Sequence, residues 1–429
     1  MSRAQEEYHQ AISDLSERIV SAQQSIRILD GVKWDDSIEA DFFANGFKEL
    51  PKVTEAYYSV DTLGFDPDAK ISEFQEIDQE ITRRLGRINP VGGILRRMCR
   101  EYQAVAQMLK SRGTPEFGRL ARELYGSTDE AFHAGEKNLA DLGRKMSRNL
   151  NILDRSPDLV DDSPRMTAEE GVDYLNRHLT EDFGMLPQDV RVILDDGIVA
   201  DAAAGSDYIK LRRDATFSIR DLELLRVHEG WVHIGTNFNG ANQRICRFLS
   251  KGPPSSTVTQ EGLAVLMEVI AMVSHPNRLR RLAYRIHAVE MVEKGADFLQ
   301  VFEFCRGVGM SEKEAYVVSM RVFRGSVPNG LPFPKDISYT KGFILLYNFL
   351  RFAVRAGKLD TIQLLFSGKT VLEDLPTMRQ LLAEKILDPP RFVPPQFANL
   401  HSLSAWLCFT DLLDGLSSDR LEADYAGLI

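Results

Sequence analysis

The sequence predicts an α+β protein that is predominantly α, and three observations carry that reading. From Tyr8 to Leu29 the apolar positions Tyr8, Ile12, Leu15, Ile19, Ala22, Ile26 and Leu29 alternate spacings of four and three, the stripe of a packed helix ending at Gly31. Around residues 190–211 the texture changes to short apolar or alternating runs divided by Asp196-Gly197 and Gly205-Ser206, which predicts a small antiparallel meander. Beyond it helical texture returns, broken by segments rich in proline and glycine from Gly325 to Pro334 and from Pro389 to Pro395.

The elements follow in order. A second helix is expected from Pro90 to Leu109, closed by Arg112-Gly113. Thr114-Pro115-Glu116 reads as an N-cap with proline at the first helical position, opening a helix to Tyr125-Gly126. Asp158 to Arg165 is a polar connection, and Thr167 with Glu170 has capping-box spacing for a helix through Leu179. The meander strands are Val190–Leu194, Ile198–Ala204 and Tyr208–Leu211. We divide the chain into a helical N-terminal region, residues 1–155, and a domain over residues 156–429 that carries the chemistry.

Composition narrows the function. Of 429 residues 44% are hydrophobic and 27% charged, enough to bury a large core, so a disordered chain and a disulfide scaffold are excluded. The net charge of −10, from 52 Lys+Arg against 62 Asp+Glu, argues against a nucleic-acid partner. Cys99, Cys246, Cys305 and Cys408 are too far apart for a CxxC motif and are expected to be reduced, mostly buried thiols. Leu263 to Val273 is too short to span a membrane and carries Glu268, and the N-terminus is polar, so no membrane is expected and the location is expected to be cytoplasmic.

The chemical signal lies after Ser218, an expected N-cap with Asp221 three residues on. The helix that follows contains His228-Glu229-Gly230-Trp231-Val232-His233. Histidines four apart differ by about 40° around an α-helix and reach one zinc ion; five apart they diverge by about 140°. One metal ion can take both only if an extra residue enters the turn as a π-bulge, which Gly230 makes cheaper. The alternative is an amphipathic helix with two core histidines. A third ligand is needed, and Glu261 is the candidate, in Thr257-Val258-Thr259-Gln260-Glu261-Gly262-Leu263-Ala264, where Thr257 and Gln260 have capping-box spacing for an apolar helix running to Ser274-His275-Pro276. Otherwise Glu261 is a carboxylate complementing a helix dipole. Glu268, two turns on, either supports a ligand or is a structural carboxylate. His275 and His287 read as structural, and His9, His133, His178 and His401 have no partner spacing. No glycine-rich phosphate loop is present in the sequence: Gly307-Val308-Gly309 lacks a third glycine, and Gly295 to Gly309 reads as helix and loop.

His228-Glu-Gly-Trp-Val-His233 followed by Gln260-Glu-Gly-Leu-Ala264 resembles the bacterial flavohemoglobin expression-modulating QEGLA motif proteins, which share a domain with the microtubule-associated tyrosine carboxypeptidases. Asp207 to Leu211, Asp214 to Ser218, Asn239-Gly240 and Gln243 also match that pattern, and the resemblance covers about Asp41 to Arg391. It implies a zincin-like metallopeptidase using Zn2+, with His228, His233 and Glu261 as metal ligands and Glu229 as catalytic base. A later block, Arg321-Val-Phe-Arg324-Gly325 and Phe333-Pro-Lys335-Asp336-Ile-Ser-Tyr339, also resembles the family. Arg321, Arg324 and Lys335 are candidates for binding a terminal carboxylate, and Tyr339 for donating to an oxyanion; each is otherwise a solvated charge or a packed ring. The expected function is a zinc metallopeptidase releasing a C-terminal residue from a peptide or protein. One rival is a non-catalytic zinc-binding regulator of flavohemoglobin expression, and the other is a helical interaction protein without metal. Tubulin specificity does not transfer, because the acidic excess of this chain would repel an acidic tubulin surface.

Overall fold

The computed structural model describes residues 2–60, 63–132, 137–153, 165–184, 190–198, 201–205 and 207–414. Asp158 to Pro164 of the expected connection, residues 199–200 of the expected second strand, Ser206, His133 and the expected division at 155/156 lie outside the described residues.

The protein is mostly helical, with two small sheets. Helix α1 (Arg3–Gln23) opens on a capping box between Ser2 and Gln5 and buries Ile12, Leu15, Ile19 and Ala22. It stops six residues before the end of the apolar stripe, and a separate turn, Ile28–Gly31, carries the remainder. Helices α2 (Pro67–Leu85) and α3 (Pro90–Lys110) follow, both with proline in the first turn, then α4 (Pro115–Tyr125), closed by Gly126 at φ 88°, and α5 (Leu139–Leu153). Helix α6 (Ala168–Phe183) has the expected capping box of Thr167 and Glu170.

The antiparallel pairing expected of the sheet is formed by β3 (Ala202–Ala204) on β4 (Tyr208–Arg212), and a second, unexpected antiparallel pair is made by β1 (Met166–Thr167) on β5 (Thr216–Phe217). The three-strand meander is corrected: β2 (Arg191–Asp195) joins β4 in parallel, giving the order β2-β4-β3. In this register Val192, Ile209 and Leu211 all turn into the core beneath α6, with Leu175 and Leu179.

After β5 come α7 (Ile219–Leu225), a π-helix (Arg226–Ile234) and α8 (Gly235–Ala241), which form one continuous rod. Helices α9 (Pro254–Ile270), α10 (Pro276–Glu293), α11 (Phe298–Gly307), α12 (Glu312–Phe323), α13 (Ser338–Arg355) and α14 (Leu400–Asp414) complete the fold. The largest apolar core joins side chains of α1 to α4 with Val227, Val232, Leu263, Leu266 and Leu346, so the N-terminal helices pack directly on the helices of the candidate site. Cys99, Cys246 and Cys305 are buried thiols and Cys408 is exposed. Among the described residues, no helix is long and apolar enough to cross a membrane.

Candidate metal centre

The spacing problem of the two histidines is solved by the backbone. Ser218 caps α7 with Asp221, as expected, but from Arg226 to Ile234 the chain winds as a π-helix, in which the Gly235 N–H donates to Gly230 O five residues back. One π turn therefore separates His228 from His233, which places both imidazoles on the same side. Gly230 serves that turn by admitting a neighbour: a Cβ there would lie 2.4 Å from Leu179 Cδ2.

The third donor arrives on α9, where one expectation is corrected. Thr257 does not cap this helix, which starts at Pro254, so Glu261 lies two turns inside it. Proline at the first helical position wins the start, and Gln260 is left for another use. Where α9 meets α13 both helices carry glycine: a Cβ on Gly262 would lie 2.1 Å from the Gly342 carbonyl carbon, and one on Gly342 1.9 Å from Val258 O. This backbone approach brings Glu261 and Tyr339 to the same site.

Ligand atoms of His228, His233 and Glu261 all lie within 4.8 Å of one another. Glu261 Oε2 is 3.7 Å from His228 Nε2 and 3.6 Å from His233 Nε2, beyond hydrogen-bond reach, and it is a buried oxygen with no hydrogen-bond partner. A buried carboxylate oxygen facing two imidazole nitrogens across that gap fits a cation between the three, and two nitrogens with one oxygen suit zinc. Burial opposes its charge, yet Lys335 and the two imidazoles hold the Glu261 carboxyl well below the usual range.

Two of the three candidate donors are also held from behind. His228 Nδ1 is 2.7 Å from Glu268 Oε1, so Glu268 accepts the Nδ1 proton and leaves Nε2 to face Glu261. Arg278 grips Glu268 in turn, with Nη2 and Nε at 2.9 and 3.2 Å. Glu268 thus contacts an imidazole of the candidate cluster. Lys335 Nζ donates to Glu261 Oε1 at 3.1 Å, fixing the other oxygen as the inward one. Burial disfavours an imidazolium, but the Glu261 and Glu268 carboxylates push His228 up to about 10. A proton and a metal ion would thus compete for this cation-seeking cluster. Glu229 Oε1 stands 3.9 Å from His228 Nε2, on the side of the converging donors.

Beside the donors lies a cationic cluster around Tyr339, whose ring stacks against His228 with centroids 6.2 Å apart. The guanidinium groups of Arg285 and Arg278 face the same ring at 5.0 and 5.9 Å. Asp336 is a carboxylate shared by three arginines: Arg321 takes it with Nε and Nη2 at 2.6 and 2.8 Å, while Arg324 and Arg285 stay at 3.8 and 4.0 Å. Burial and the charge of Arg321 bring Arg324 down to about 10, and its Nε is buried with no hydrogen-bond partner. Of the three expected carboxylate binders, then, Arg321 is engaged with Asp336 and Lys335 with Glu261, and Arg324 keeps an unused donor.

Sequence reading did not single out Arg278, Arg285 or the role of Asp336. A signal existed for the arginines, since residues seven apart share a helix face. Three of the remaining histidines have ordinary partners: His275 caps α10, His287 Nε2 is 3.0 Å from Ser147 Oγ, and His178 Nδ1 is 2.8 Å from Tyr174 O.

The profile of the family described as microtubule-associated tyrosine carboxypeptidase matches residues 40–414. None of the curated proteins compared with the chain matches it.

Proposed function

The chain belongs to the microtubule-associated tyrosine carboxypeptidase family, and from that premise we propose that it is a zinc-dependent carboxypeptidase of zincin-like type, acting on a peptide or protein C-terminus. The observation that carries this reading is the orphaned, buried Glu261 Oε2 facing His228 and His233. Gln260 to Ala264 further align the chain with the bacterial QEGLA motif proteins, which fits a cytoplasmic enzyme without a requirement for microtubules.

His228, His233 and Glu261 hold the ion, which when bound supplies Lewis acidity to the scissile carbonyl and to a water molecule. Glu229 is the general base: its carboxylate takes a proton from the attacking water and returns it to the departing amine. Tyr339 donates its phenolic hydrogen to the oxyanion that develops on the carbonyl. The substrate carboxylate enters the cationic cluster, where the unpartnered Arg324 Nε and the loosely paired Arg285 receive it, while Arg321 and Lys335 hold Asp336 and Glu261 behind them. A charge-assisted fork of this kind explains a preference for a free terminus over an internal peptide bond.

The test is a peptide set offered with free and with amidated C-termini, read by mass spectrometry. Release of one residue from the free acids, with the amides at least about tenfold slower and that preference lost in Arg324→Met, is the expected result. Equal cleavage of acids and amides, or no cleavage by zinc-loaded protein, would overturn it.

A further inference from the structure

Lys369 has no part in the reaction above, yet it sits against the backs of both metal-bearing helices. Its ammonium donates to His233 O at 3.0 Å, to Thr236 Oγ1 at 3.2 Å and to Gln260 Oε1 at 3.0 Å. Three donors thus meet three neutral oxygens, and among the described residues no carboxylate lies within ion-pair distance of this amine. Desolvation outweighs the pull of Glu261 and Glu229 and brings the amine down to about 8. A cation kept in such surroundings is costly unless its hydrogen bonds are worth more than its hydration.

The backbone says what those bonds do. Within the π segment an amide reaches five residues back, as Gly235 does to Gly230; in α8 the spacing returns to four, as Asn242 does to Phe238. At such a junction the register of the helix changes, and side-chain donors can brace the carbonyls beside it. Two do so here. Thr236 Oγ1 donates to Val232 O at 2.6 Å, and Lys369 donates to His233 O, the carbonyl of a metal ligand. The same ammonium holds Gln260 Oε1, next to Glu261 on α9.

We propose that Lys369 is a positioning residue: it ties the C-terminal end of the π segment to Gln260, so that His233 and Glu261 are presented to one ion. Only the metal arm of its test rests on the function proposed above. In metal-free, full-length protein, hydrogen–deuterium exchange over residues 226–241 is expected to quicken about tenfold in Lys369→Met, with residues 67–110 unchanged. Zinc affinity, measured by competition with a chromophoric chelator, is expected to fall about 10- to 100-fold in Lys369→Met and to recover in part in Lys369→Arg. Exchange over 226–241 indistinguishable from wild type would overturn the proposal. Should Lys369→Met not fold, Thr236→Val and Gln260→Met each remove one acceptor and are expected to speed the same segment; unchanged exchange in both overturns it equally. Wild-type protein that binds no zinc would sink the peptidase reading, while the exchange arm would still decide the role of Lys369.

Discussion

Two helix pairs, α2 with α3 and α9 with α13, are both long and packed side by side, but they are built on opposite rules. The first meets through large apolar side chains: Phe74, Ile77 and Ile81 lie against Val91, Leu95, Met98 and Tyr102, and Phe74 stacks on Tyr102 with centroids 5.1 Å apart. The second meets backbone to backbone at Gly262 and Gly342 and buries Thr259, Gln260, Glu261 and Glu268. Apolar side chains make a pair stable, whereas close backbone contact makes it accurate and leaves room for carboxylates that only partners can keep charged. The rod α7–π–α8 extends the contrast, since it gives up α-helical regularity to align two histidines.

The largest break expected in the functional half is chemical. Glu229→Gln should lower peptidase turnover about 10²- to 10⁴-fold while zinc content stays at the wild-type level, as measured by kinetics and elemental analysis on the same sample. Next comes the glycine contact. Gly262→Ala places a methyl group against backbone that cannot turn aside, and a loss of about 3 kcal/mol in denaturant unfolding is expected, together with weakened zinc binding. Glu268→Gln keeps the shape but weakens the hold on His228, so zinc affinity should fall about 10- to 100-fold, with some loss of stability because Arg278 loses its buried partner.

A pH experiment separates the cationic cluster from both pairs. Burial raises the Asp336 carboxyl, but the charges of Arg321, Arg285 and Arg324 prevail and hold it far below the usual range. Because the folded value is depressed, the stability this group contributes is complete above the unfolded value of about 3.9 and is lost as pH falls below it. Asp336→Asn should therefore flatten the acid limb of the stability curve below about pH 4, and an unchanged limb would show that other carboxylates set it. The smallest effect belongs to the apolar pair. Gly93 in α3 has nothing within 4 Å of where its Cβ would be, so Gly93→Ala should stabilise by about 0.5–1 kcal/mol, opposite in sign to Gly262→Ala.

The same contrast decides what the sequence could tell. The helices of the apolar half obey spacing and capping, so α3, α4 and α6 begin at the residues their prolines and capping box indicate. The His228-to-His233 offset was legible because no α-helix can aim both rings at one ion, which required a π turn; the structure extends it from a bulge to nine residues. Gln260 misled because capping-box spacing says nothing about Pro254, three residues before Thr257, where the helix begins. The parallel pairing of β2 with β4 escaped because strand pattern fixes which face is buried and leaves open which edge is joined. Lys369 acts through contacts far along the chain, and nothing local to it marks it.

Zinc at the His228, His233 and Glu261 cluster is the central claim, and metal stoichiometry tests it most directly. Protein purified without added metal or a histidine tag should carry close to one zinc per chain by elemental analysis, and His233→Ala should carry almost none while remaining folded. Wild-type protein that holds no zinc even after reconstitution, or a His233→Ala variant that keeps it, would contradict the account.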